Sequence, residues 1–76
     1  MAYKIRLGGT NEFVSRIVPD WPRAHRLHGR SPGIVYFVKG WDNPEAKIWE
    51  NLKDAKIAEK EVWDIEGFHT SIEKVL

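Results

Sequence analysis

Apolar and basic positions alternate at the start of the chain, with Tyr3, Ile5 and Leu7 on one side and Lys4 and Arg6 on the other. A period of two sends successive side chains to opposite faces, so the pattern predicts a strand with one buried face and one basic, solvent-facing side, ended by Gly8 and Gly9. Residues 12–18 (EFVSRIV) carry two patterns at once. Phe13, Val14, Ile17 and Val18 fit a helical stripe behind Thr10 or Asn11, yet the β-branched content suits a hairpin partner for the first strand, and we assign a strand. Pro19 and Pro22 forbid regular pairing around Trp21. The run Ile34 to Val38, bounded by Gly33 and Gly40, has the length and make-up of a central strand covered on both faces.

A helix is expected next. Asn43 can cap it, Pro44 suits its first position, and Glu45 complements the positive end of its dipole. Ile48, Trp49, Leu52 and Ala55 share one face, with Lys47, Glu50, Lys53 and Asp54 outside. Ala58, Val62 and Ile65 could continue the stripe to Gly67. EVWDIEGF can equally be a strand with Trp63 and Ile65 turned inward, and we assign it so because a two-stranded sheet would be poorly supported. Thr70 and Glu73 spell a capping box ahead of a C-terminal helical turn. The expected fold is α+β: one domain over 1–76, an antiparallel sheet of three to four strands with one main helix packed on one face.

At 76 residues the chain hides only about 60% of its unfolded surface. It has no cysteine, which excludes a disulfide framework and thiolate metal ligation. Four Trp, three Phe and two Tyr must supply the core instead, and surplus rings in so small a domain make a homodimer a candidate way of completing it. No apolar run resembles a signal-peptide core or reaches membrane-spanning length, so the sequence reads as soluble and cytoplasmic, with no membrane partner.

Charge is sorted along the chain. Residues 1–40 hold seven basic against two acidic side chains, a balance of +5, and residues 41–76 hold five against nine, a balance of −4. Within the first portion, Arg23, Arg26 and Arg30 stand with His25 and His28 in WPRAHRLHGRSPG, a stretch broken by Pro and Gly. Guanidinium groups suit phosphate contacts, Trp21 or Tyr36 offers a stacking face for an unpaired base, and Lys4 and Arg6 could extend the patch. The plainer alternative is a solvated loop that balances the acidic half.

His25 and His28 form an H-x-x-H pair, with Asp20 or His69 as a third donor, but three neighbouring arginines oppose a dication there, and we assign no metal. Paired histidines with a cationic stabiliser could cleave RNA, yet the sequence fixes none of that geometry; no nucleophile elbow or phosphate-cradling loop is present. The expectation is therefore a small non-enzymatic, cofactor-free binding or regulatory protein that engages nucleic acid or a nucleoprotein complex through the Arg/His-rich loop. The rival is a protein-interaction module, an inhibitor, adaptor or dimeric accessory subunit, that uses Trp41, Trp49 and Trp63 with the acidic helix.

Overall fold

A computed structural model describes residues 2–19 and 33–75, and the elements run β1 (Ala2–Leu7), β2 (Glu12–Pro19), β3 (Gly33–Lys39), α1 (Leu52–Glu66) and β4 (Thr70–Val75). The four strands form one antiparallel sheet in the order β3-β2-β1-β4, with α1 against one face, the α+β arrangement expected of the alternating patterns. Tyr3 and Ile5 of β1, Val14 and Ile17 of β2, Val35 and Phe37 of β3 and Ile72 of β4 supply the sheet side of the core. Ala55, Ala58, Val62 and Ile65 supply the helix side, at the i, i+3, i+7 spacing that puts side chains on one stripe.

Four expectations are corrected. The helix begins at Leu52, with Asn51 as its cap: the Asn51 carboxamide oxygen accepts the Asp54 N–H at 2.9 Å. Asn43 serves a turn instead, its Oδ1 accepting the Glu45 N–H and its Nδ2 donating to the Lys39 carbonyl, at 2.9 and 3.1 Å. Second, Glu61 to Glu66 is the end of α1 and not a strand. Val62 and Ile65 are buried, Trp63 points outward, and Gly67 closes the helix at φ 72°, a left-handed conformation that a side chain disfavours. Third, Thr70 to Val75 is strand β4, paired along its whole length with β1 from Ala2↔Val75 to Leu7↔Thr70. A capping box is a local preference of about 1 kcal/mol, and six cross-strand pairs outweigh it.

The fourth correction concerns β3, which is an edge strand with Ile34 and Tyr36 exposed, where the apolar run predicted a central strand covered on both sides.

β1 and β2 leave the 8–11 hairpin and diverge. They share the single register pair Arg6↔Phe13, and a bulge between Val14 and Arg16 turns β2 away. The chain between β3 and α1 fills the opening. Lys47 N–H donates to the Val14 carbonyl at 2.9 Å, and Trp49 exchanges both backbone hydrogen bonds with Tyr3 at 2.8 and 2.9 Å. Residues 46–49 thus form a wedge bonded to both strands, and Trp49 enters the core beneath α1. This use of Lys47 and Trp49 is why the helix cannot start at Asn43.

Candidate functional site

The sheet face opposite α1 carries the chemistry. Direct cross-strand partners point the same way, so Arg6↔Phe13, Phe13↔Val38, Arg16↔Tyr36 and Val18↔Ile34 lie on that side together with Lys4 and Glu73. Basic and aromatic groups alternate across it. Lys4 Nζ lies 4.8 Å from the Trp41 ring centre, the Arg6 guanidinium 5.0 Å from Phe13 and the Arg16 guanidinium 4.6 Å from Tyr36. These are cation–π distances, and Phe13 and Trp41 add an edge-to-face contact at 5.5 Å.

The face divides into a sealed half and an open half. In the sealed half Phe13 is fully buried and Lys4 is only 8% exposed, its ammonium donating to the Trp41 carbonyl. Arg6 Nη2 donates to Glu73 Oε1 at 3.0 Å, and its Nε lies against Oε2. The expected basic solvent face of β1 is therefore closed. Lys4 is covered by Trp41, and Arg6 is neutralised by a carboxylate from β4. Such contacts offset the desolvation of a partly buried cation, so both residues stabilise the sheet.

The open half lies on β2 and β3. Arg16, Tyr36, Val18 and Ile34 are exposed there as two consecutive cross-strand pairs. Ser15 Oγ donates to the Tyr36 carbonyl at 3.1 Å and helps hold the bulge that places Arg16 opposite Tyr36. A shallow depression beside this pair is lined by Ser15, Arg16, Tyr36, Val38 and one carboxylate, Glu45. Among the described residues the ion pairs are Arg6–Glu73 and the solvent-exposed Lys60–Asp64. Pro19 and Gly33, the last pair of the β2–β3 ladder, are the two ends from which the Arg/His-rich stretch departs. Trp21, Arg23, His25, Arg26, His28 and Arg30 themselves lie outside the described residues.

The three tryptophans assigned to an interface do not share one surface. Trp41 is half-buried over Phe13 and Lys4, Trp49 is a core residue at 8% exposure, and Trp63 is 50% exposed on α1. Trp63 packs on His69 at 4.9 Å between ring centres, and with Phe68, Glu59 and Thr70 it lines a groove between α1 and the start of β4. No three His, Asp or Glu side chains gather in a metal-like cluster among the described residues. No helix among them is long and apolar enough to cross a membrane.

Sequence reasoning missed Arg16. Its signal was a lone basic residue inside an apolar run whose register is shifted by a bulge, and a bulge leaves no reliable mark in a sequence. No family model matches the chain, and no curated protein or solved structure matches it.

Proposed function

We propose that this chain is a small non-enzymatic binding protein that engages single-stranded nucleic acid, alone or within a nucleoprotein complex, on the open half of its sheet. The observation that carries the reading is the exposed Arg16–Tyr36 stack, with Val18 and Ile34 beside it, on the two strands that carry the arginine-rich connection. A base can stack on an exposed aromatic ring whatever its sequence, and guanidinium groups beside it can bind the phosphates that join successive bases. Arg23, Arg26 and Arg30 supply further charge from the connection, and Trp21 a further ring. The sorting of charge along the chain supports the same reading, because Asp54, Glu59, Glu61, Asp64 and Glu66 lie on α1, packed on the opposite face, while Glu45 is the one carboxylate lining the depression beside Arg16 and Tyr36.

The test is the affinity for labelled single-stranded oligonucleotides measured as salt rises from about 50 to about 200 mM, where single-strand binding weakens by about 0.7 log units per log unit of salt for each phosphate neutralised. Tyr36→Ala should weaken binding by roughly 1–3 kcal/mol with little change in salt dependence, as expected of a lost stacking face. The triple variant Arg23→Ala, Arg26→Ala, Arg30→Ala should flatten the slope by up to about two log units per log unit of salt. Undetectable binding at low salt, or affinity that ignores both variants, overturns the reading.

A further inference from the structure

We infer that β4 is a docking edge for a second copy of this chain, forming a two-fold dimer through antiparallel β4–β4 pairing centred on Ile72.

Backbone direction on β4 is fixed by its ladder with β1. Gly8 N–H donates to the His69 carbonyl at 2.9 Å, and hydrogen-bonded pairs alternate along an antiparallel ladder, so Ser71, Glu73 and Val75 also turn their backbone groups toward β1. Tyr3, the next type of position on β1, bonds in the other direction, to Trp49, as this alternation requires. Thr70, Ile72 and Lys74 therefore present N–H and C=O outward. Among the described residues nothing pairs with these groups.

The opposite edge of the sheet is treated differently. On β3 the outward positions are Val35, Phe37 and Lys39. Val35 N–H donates to the Glu66 carboxylate at 3.3 Å, and the Lys39 carbonyl accepts from Asn43 Nδ2 at 3.1 Å. Side chains thus block β3 at both ends, a common protection for sheet edges, and among the described residues no side chain bonds an outward backbone group of β4.

The register follows from charge. A two-fold axis at Ile72 sets Lys74 opposite Thr70 of the second copy. Thr70 Oγ1 donates to Glu59 Oε2 at 3.2 Å, so each Lys74 ammonium arrives beside a Glu59 carboxylate, twice per dimer; of the two lysines lining the same groove, Lys60 is already paired with Asp64 and Lys56 stands a helical turn away from Thr70's partner. An axis at Glu73 would instead oppose two carboxylates, and one at Ser71 would pair fewer residues. With the Ile72 register, the incoming strand also runs past Lys74 toward the groove of Phe68, His69 and half-exposed Trp63. The product is one eight-stranded sheet whose two open Arg16–Tyr36 faces lie on the same side.

The experiment is the solution mass by sedimentation across micromolar to millimolar concentrations, after nuclease treatment so that nucleic acid cannot bridge copies, and at about 0.1 M salt so that surface charge pairs are only partly screened. A reversible dimer is expected. Lys74→Glu should raise its dissociation constant about tenfold, since two opposed pairs become repulsive, and adding Glu59→Lys should restore it. Lys74→Pro removes only an outward N–H, so circular dichroism should show an intact fold while dimerisation is lost. In a chain without cysteine, Ile72→Cys should oxidise to a covalent dimer, because a hydrogen-bonded pair on the axis sets the Cα atoms about 5.5 Å apart, within disulfide reach. A monomer at every concentration overturns the inference. So does a dimer indifferent to Lys74→Glu, or one that Ile57→Cys on the exposed face of α1 cross-links as readily.

Discussion

Trp49 joins the split sheet to the helix, and truncating it tests that geometry directly. In Trp49→Ala the two backbone hydrogen bonds to Tyr3 can persist, while the indole beneath α1 is lost. A buried Trp covers roughly 150–250 Å², which at about 25 cal/mol per Å² is about 4–6 kcal/mol. That is an upper bound, since an unfolded chain already hides part of the ring, and large-aromatic truncations cost about 3–5 kcal/mol. At roughly 0.05–0.15 kcal/mol per residue the whole domain is stable by only about 4–11 kcal/mol. Trp49→Ala should therefore remove about a quarter of the stability at the least and unfold the protein at the worst. Trp49→Phe keeps a ring in the slot and should cost about 1–2 kcal/mol, while Trp63→Ala, on the exposed side of α1, should cost less than about 1 kcal/mol. Equilibrium urea unfolding followed by circular dichroism gives the ranking. Equal losses for Trp49→Ala and Trp63→Ala, or an unchanged midpoint for Trp49→Ala, would refute the wedge.

Asn51→Ala should lower stability by about 1 kcal/mol, a fall in melting temperature of roughly 4–8 °C, with Asn51→Ser, which keeps a capping oxygen, closer to the parent; identical melting curves for all three proteins would place the helix start elsewhere. Glu66→Ala uncovers the Val35 N–H on the β3 edge, so it should cost about 1 kcal/mol and raise light scattering at high concentration; scattering that stays at the parent level would show that the carboxylate does not guard that edge.

β1 was legible because its signal is local: Tyr3, Ile5 and Leu7 alternate, so the burial of one face follows from period alone. Residues 12–18 were set as a strand on β-branched content against a competing helical stripe, and the run between Gly33 and Gly40 marked a strand but not its place at the sheet edge. The errors came where a distant partner outbid local preference. Asn43 and Pro44 are good helix-starting residues, but Lys47 and Trp49 gain more by bonding to Val14 and Tyr3. Thr70 and Glu73 spell a cap, yet Glu73 is taken by Arg6 and its strand by β1. The candidate site was half-legible. Lys4 and Arg6 were correctly set on one face of β1, while nothing in the sequence told that Trp41 and Glu73 would close over them. Arg16 and Tyr36 were visible only as residues of two strands, and their stack depends on the bulge.

The wedge also bears on the order in which the chain can assemble. Its nearest neighbours in sequence, β1 and β2, make the least complete ladder, and the fully zipped one joins β1 to β4, with β2, β3 and α1 between them in sequence. Closing so long a loop is entropically slow, so collapse should wait on the last strand and not on the first turn. Until Thr70 to Val75 emerges during synthesis, Ala2 to Leu7 has a vacant flank open to any other strand it meets.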